Sequence, residues 1–226
     1  MRKLNRNQIL IIAAGAIILL IGAASFVVQH NAQTPLPPPA TPPEQAGAID
    51  HMMGKTEAKV LVVEYGSPTC SVCAQWDKDV FPQLKQKYID TGKVIFVYRI
   101  MPRNELDGEV AKLAACLPEN KFFEFIDMMY RNQPVWDAEE YPVQGDVNAA
   151  LVQMGQKAGL SADKVTSCRQ PNKPLEDAIN AVAAAGAAKY NIDSTPTFVV
   201  NGYRVPSGFL YWDSLDSMVD AALTAK

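Results

Sequence analysis

The side chains able to do chemistry in this 226-residue chain are few, and their spacing is informative. There are four cysteines, Cys70, Cys73, Cys116 and Cys168, and two histidines, His30 and His51. The pair Cys70-Ser71-Val72-Cys73 follows an apolar run and opens a helical pattern. A thiolate at a helix amino terminus is stabilised by unpaired backbone N–H groups and by the helix dipole, so its pKa falls and it reacts near neutral pH. Two intervening residues let the second thiol reach the first and resolve a mixed disulfide. The motif therefore predicts a redox pair, with Cys70 the exposed nucleophile and Cys73 the buried resolving thiol. Two other readings stand beside it. Half of a zinc site would need a second close pair of ligands, yet Cys116 and Cys168 are 52 positions apart and both histidines precede the first plausible strand. A closed, purely structural bridge is the other, although so short a bridge is tight, and strained bridges are the labile ones. Neither a metal nor an organic cofactor is expected, and a histidine-based site inside the folded domain is not expected either.

The elements around this pair set the fold class. Val60, Leu61, Val62 and Val63 read as a buried strand, and Gly66 to Thr69 as a loop. A helix is expected from Cys70 to about Asp90, with Trp76, Val80, Phe81, Leu84 and Tyr88 at helical spacing and a kink at Pro82. Val94 to Tyr98 is a second strand. From about 104 to 192 the chain is rich in Ala, Leu, Met, Glu and Lys and shows only helical periods; one long helix carries Gly186 near its end. Asn201-Gly202 between Thr197–Val200 and Tyr203–Val205 predicts a hairpin with a type I′ turn. A last amphipathic helix runs from about Asp213 to Leu223. Strand, helix, strand, helical block, hairpin, helix is an α/β domain with helices inserted in its middle. Phe122, Phe123, Phe125, Tyr130 and Trp136 are expected to pack in the core.

Thr195-Pro196-Thr197 stands just ahead of the hairpin. A proline at the start of a strand is ordinarily edge punctuation; beside an upstream CxxC it resembles the cis-proline loop of thioredoxin-fold enzymes. Three further runs extend the likeness: Val62-Val63-Glu64-Tyr65-Gly66-Ser67 before the cysteines, Val80-Phe81-Pro82-Gln83-Leu84-Lys85 after them, and Ser194 to Gly202. Together these resemble the DsbA-like thiol–disulfide oxidoreductases, over about Val60 to Leu223. The resemblance implies a thioredoxin fold with an inserted helical domain and disulfide formation in exported proteins, with a separate membrane protein resetting the pair. It implies catalytic roles for Cys70, Cys73, Thr195 and Pro196, and makes Glu64 a buried acid that exchanges a proton with the resolving thiol. A carboxylate inside an apolar strand needs such a role or a partner, and Arg99 in the next strand is a candidate partner. One position departs from the family. Strongly oxidising members carry a histidine before the second cysteine, where this chain has Val72. That weakens thiolate stabilisation and keeps a reductase or isomerase in play. A non-catalytic tethered chaperone is the alternative from another class.

The remaining features bear on location. Residues 1–8 hold Arg2, Lys3 and Arg6; residues 9–28 are apolar and uncharged, about the length of a membrane span; residues 29–50 hold six prolines between Pro35 and Pro43; residues 51–226 form the domain. This order predicts a single-pass anchor in a bacterial inner membrane, with the domain in the periplasm, or a cleaved signal peptide ending near Ser25. In such a compartment an even cysteine count predicts a structural disulfide between Cys116 and Cys168. The net charge of −3 gives no reason to expect nucleic acid.

Overall fold

A computed structural model describes residues 50–206 and 212–225. The basic tail, the apolar run 9–28 and the prolines of the linker lie outside the described residues. Among the described residues no helix is long and apolar enough to cross a membrane.

A five-stranded mixed sheet has the order β1 (His51–Met53), β3 (Val94–Ile100), β2 (Val60–Gly66), β4 (Thr197–Val200), β5 (Tyr203–Arg204). Strands β2 and β3 run parallel, and all other pairings are antiparallel. The central strands are covered on both faces, which is why they read as unbroken apolar runs. Alternation divides their side chains. Val60, Val62, Phe96 and Val200 enter the larger core with Trp76 and the helices, whereas Val63, Tyr65, Val97 and Val199 enter a smaller core on the opposite face. At the hairpin, Asn201 (φ 47°) and Gly202 (φ 85°) both take the left-handed conformation that a type I′ turn requires.

Three features differ from the sequence reading. First, the expected continuous helix from Cys70 to Asp90 is three segments. α1 (Ser71–Asp79) ends at Val80, whose N–H closes on Trp76; α2 (Phe81–Leu84) follows; a π-helical turn (Lys85–Ile89) completes it. The break falls at Val80, not Pro82. Proline sits in the first turn of α2, where its missing N–H costs nothing, and its ring disfavours continuation from the preceding turn. Second, β1 has only three residues and no strand pattern of its own; pairing with β3 alone defines it. It carries His51 into the folded domain, where the ring stacks on Phe122 at 3.4 Å and Nδ1 lies 3.1 Å from Glu119. One histidine thus packs within the folded domain; no group of three or more His, Cys, Asp or Glu side chains that could hold a metal occurs among the described residues. Third, Gly186 does not weaken its helix. A Cβ there would collide with the Tyr65 ring, so the glycine lets α8 (Lys173–Tyr190) lie close on the sheet's smaller core.

The helical block consists of α3 (Glu105–Ala114), α4 (Phe122–Arg131), α5 (Gln133–Trp136), α6 (Val147–Lys157), α7 (Ala162–Cys168) and α8. Asn104, Asp146, Ser161 and Asn172 cap four of these through side-chain oxygens. Phe122, Phe125, Tyr130 and Trp136 are buried in the larger core, with Phe123 packed against it. The final helix is α9 (Trp212–Thr224).

Candidate active site

Sheet and helix meet at the carboxyl end of β2. The chain leaves β2 at Gly66, turns through Ser67–Thr69 and enters α1, so Cys70 is the N-cap residue and Cys73 lies in the first turn. Asp107, fully buried on α3, fixes the turn. Its carboxylate accepts from Ser67 Oγ (2.8 and 3.0 Å), from the Thr69 N–H (2.9 Å) and from the Arg103 N–H (2.7 Å). Gln133 Nε2 donates to the Pro68 carbonyl at 2.8 Å, and Asn104 Nδ2 to Thr69 Oγ1 at 3.0 Å. The helical block thus holds the turn that presents the cysteines. Sequence reasoning missed Asp107. Asn104-x-x-Asp107 reads as a local capping arrangement, and its Asn104 Oδ1 does accept the Asp107 N–H; nothing in that pattern announces the long-range bonds.

Cys70 and Cys73 are free thiols. The Cys73 N–H donates to Cys70 Sγ at 3.1 Å, and Cys70 Sγ–H donates to the Thr195 carbonyl at 3.3 Å. The hydrogen bonds from Cys73 bring the Cys70 pKa down to about 6 against the opposing effect of burial, assisted by the positive charge of Arg103. Arg103 stands in the loop after β3 and donates to the Thr69 carbonyl at 3.4 Å; it supplies the positive charge that Val72 does not. Burial, together with the hydrogen bond and charge of Cys70, pushes the Cys73 thiol well above its ordinary value. Cys70 is expected from the sequence to be exposed, but the residue is only 3% accessible, with the Thr195 carbonyl against its sulfur; Val72, the outward residue between the cysteines, is 50% accessible. The Thr195–Pro196 peptide bond is cis.

Glu64 points from β2 toward the cysteine pair, on the face occupied by α1. It is buried, and its Oε1 has no hydrogen-bond partner among the described residues. Burial raises its pKa well above the usual carboxylate range, and the negative charges of Asp77 and Cys70 act in the same direction. Arg99 is not its partner. In the parallel register Glu64 faces Tyr98 and Tyr65 faces Arg99, so alternation sends Arg99 to the other side of the sheet. There its guanidinium binds Asp50 (2.7 and 2.9 Å) and donates to Tyr65 Oη at 2.8 Å. Away from this site, Cys116 and Cys168 are joined in a disulfide with their Cα atoms 6.2 Å apart. The active-site geometry offers a low-pKa thiol, a high-pKa thiol within its reach and a buried acid behind them, the components of dithiol–disulfide exchange.

Comparison with known proteins bears on this arrangement. The family model described as Thioredoxin matches residues 48–221. A Rickettsia felis protein named "Putative protein-disulfide oxidoreductase" is 35% identical over 77% of this chain and 60% of its own length. Disulfide bond formation protein D of Bacillus subtilis is 28% identical over 77% of this chain and 78% of its own. The chain therefore spans less than two thirds of the Rickettsia felis relative, as it does of a Rickettsia bellii relative, of which it covers 64%. Among solved structures, Wolbachia pipientis α-DsbA1 superposes with a TM-score of 0.64 at 22% identity, covering 77% of this chain and 90% of that one, and so shares the fold.

Proposed function

The chain belongs to the thioredoxin family, and from that premise we propose that it is a thiol–disulfide oxidoreductase acting on cysteines of exported proteins through Cys70 and Cys73. The observation that carries this reading is the opposed pair of thiol affinities. Cys70 is held near 6 by hydrogen bonds from Cys73, while Cys73 is raised by burial. A thiol already ionised near neutral pH attacks, or leaves, readily; a buried neighbour with high proton affinity completes or reverses the exchange.

In the oxidising direction, a substrate thiolate attacks Cys70 Sγ of the Cys70–Cys73 disulfide. Cys73 leaves as a thiolate and takes a proton from Glu64, giving a mixed disulfide between substrate and Cys70. A second substrate thiolate attacks the substrate sulfur, Cys70 leaves as a thiolate, and the substrate disulfide is released. Thr195 and Pro196 form the wall against Cys70 along which an extended substrate would pair. Oxidation is the favoured direction: Arg103 and the Cys73 N–H stabilise the Cys70 thiolate, and whatever stabilises the reduced form makes the disulfide more oxidising. Reduction or isomerisation is the second reading, favoured by Val72. A separate membrane protein would reset the pair. Residues 1–8, 9–28 and 29–50 would serve as cytoplasmic tail, single membrane anchor and spacer, with residues 51–226 in the periplasm and Cys116–Cys168 as a structural bridge.

The test is the reduction potential of the Cys70–Cys73 pair in the full-length chain, equilibrated against glutathione or dithiothreitol. A value toward roughly −120 mV supports the oxidase; one near roughly −270 mV makes the protein a reductase. Absence of a reversible couple overturns the enzymatic reading and leaves a tethered binding module.

A further inference from the structure

The proposed exchange leaves one buried arrangement unused. Tyr98 on β3 and Tyr130 on α4 are both buried, and their hydroxyl oxygens lie 2.8 Å apart. A hydroxyl pair removed from water costs free energy unless each member is satisfied, so its position is informative. Tyr98 is the cross-strand neighbour of Glu64 in the parallel register. Glu64 Oε1 and Tyr98 Oη both come within 2.9 Å of the point where a Cβ on Gly66 would sit. The absent side chain of Gly66 therefore lets the unpartnered carboxylate oxygen and the tyrosine hydroxyl converge on one gap beside the Gly66 Cα. Any residue larger than glycine at position 66 would close it.

We propose that Tyr98 and Tyr130 form a positioning pair that stabilises the ionised form of Glu64 and so controls how readily Glu64 accepts the proton of Cys73; this rests on the reading of Cys70 and Cys73 as an exchanging pair. Tyr98 O–H donates toward Glu64 Oε1, and Tyr130 O–H donates to Tyr98 Oη, polarising it. The titratable groups facing Glu64 from the packed elements are Cys70, Cys73 and Asp77 on or beside α1, Tyr98 on β3 and Tyr130 on α4; β4 contributes Phe198, which is apolar. The two tyrosines are the neutral donors in that set that keep their protons throughout the exchange. Burial holds both phenols well above their ordinary range, so they remain protonated donors throughout the working range of pH.

The step they serve is resolution. Cys73–SH transfers its proton to Glu64–COO⁻. The Cys73 thiolate attacks Cys70 Sγ of a mixed disulfide, the Cys70–Cys73 bond forms, and the partner leaves as a thiolate. Electrons balance: the Cys73 sulfur is oxidised, the partner sulfur is reduced, and the Cys70 sulfur stays at the disulfide level. Removing the Tyr98 hydroxyl makes the Glu64 anion less stable, so a smaller fraction of the acid is ready to accept.

The experiment uses the reduced full-length chain and oxidised glutathione. Acid quenching and alkylation follow the Cys70–glutathione adduct between pH 5 and 9. Y98F is expected to leave adduct formation unchanged, lengthen its lifetime at pH 7 about tenfold, and move the midpoint of the resolution profile to higher pH. Y130F, which keeps the Tyr98 hydroxyl, should do the same to a smaller extent. The double variant should match Y98F alone, since Tyr130 acts through Tyr98. A wild-type lifetime and midpoint in folded Y98F or Y130F overturns the proposal, as does slowing at all pH values without displacement of the midpoint. Absence of any adduct in the wild-type chain instead overturns the exchange reading.

Discussion

The two cysteine pairs occupy opposite kinds of position, and the contrast explains why one would exchange while the other holds. Cys70 caps the start of α1 and Cys73 lies in its first turn, where backbone N–H groups point at sulfur and one reaches Cys70 at 3.1 Å. Cys116 follows the end of α3, and Cys168 is the last residue of α7. Helix carboxyl ends present carbonyls and the negative end of the dipole, which disfavour a thiolate. A thiolate is the species that attacks and the species that leaves, so the first pair is placed for exchange and the second for persistence. The second pair also spans 52 residues of chain, closing a loop across the helical block, whereas the first closes almost none. Constraint of the unfolded chain grows with the loop closed, so the same bond contributes little stability at one site and a good deal at the other.

The largest effect expected from this contrast is also the simplest to measure. Cys70→Ser should abolish formation of the glutathione adduct while leaving the chain folded. Replacing both Cys116 and Cys168 by alanine should leave the adduct and its resolution within about threefold of wild type, yet cost about 4 kcal/mol in stability by the chain-entropy account, measured by denaturant unfolding. If the double variant lost exchange without unfolding, the two pairs would be a relay, and the division between them would fail.

This division was partly legible in the sequence. The CxxC spacing after an apolar run placed Cys70 and Cys73 at a helix start, and the Asn201-Gly202 turn marked the hairpin; both are local signals. An α/β order with helices inserted in its middle could also be inferred from the order of periodic segments, and the thioredoxin fold from the resemblance of the motifs around Cys70, Cys73 and Pro196. What the sequence did not carry was pairing at a distance. β1 is three residues long and exists through its register with β3. Arg99 could not be assigned to Asp50 or Glu64 without knowing that successive residues of β3 face opposite sides of the sheet. The covering of Cys70 by Thr195 joins residues 125 positions apart, and the charge of Arg103 reaches the thiol only once the loop after β3 is folded against the loop before α1. Asp107 looked like one more acidic residue in a helix's first turn.

Asp107 also sharpens the comparison, because it is how the block carrying the structural disulfide grips the redox motif. Asp107→Ala removes the acceptor for Ser67 Oγ and the Thr69 N–H, both buried, and for the part-buried Arg103 N–H. Unsatisfied buried donors cost about 1–3 kcal/mol, so a loss of about 3 kcal/mol is expected from the set after partial relaxation. Released from the turn, Cys70 should also react less selectively, and iodoacetamide alkylation of the native chain should lose its sharp dependence on pH. Loss of stability with an unchanged alkylation profile would mean that Asp107 supports the fold without controlling the thiol.

The smallest effect separates local charge from helix geometry. In reduced protein the Cys70 pKa is lowered from 9.0 to about 6. A group whose folded pKa is depressed contributes stability that is complete above its unfolded pKa and is lost as pH falls through its folded value. The reduced chain should therefore lose stability relative to Cys70→Ser as pH falls from about 9 to about 6, and little further below that. Val72→His adds a titratable cation beside the thiolate, at a position half open to solvent. Solvent screening limits what that charge is worth. The midpoint of Cys70 alkylation should move to lower pH by about half a unit, and the stability window should widen at its acid end by the same amount. A much larger displacement would show that the residue between the cysteines governs the thiolate. No displacement would leave the Cys73 N–H and Arg103 as its sufficient support, and the contrast between helix start and helix end as the main determinant.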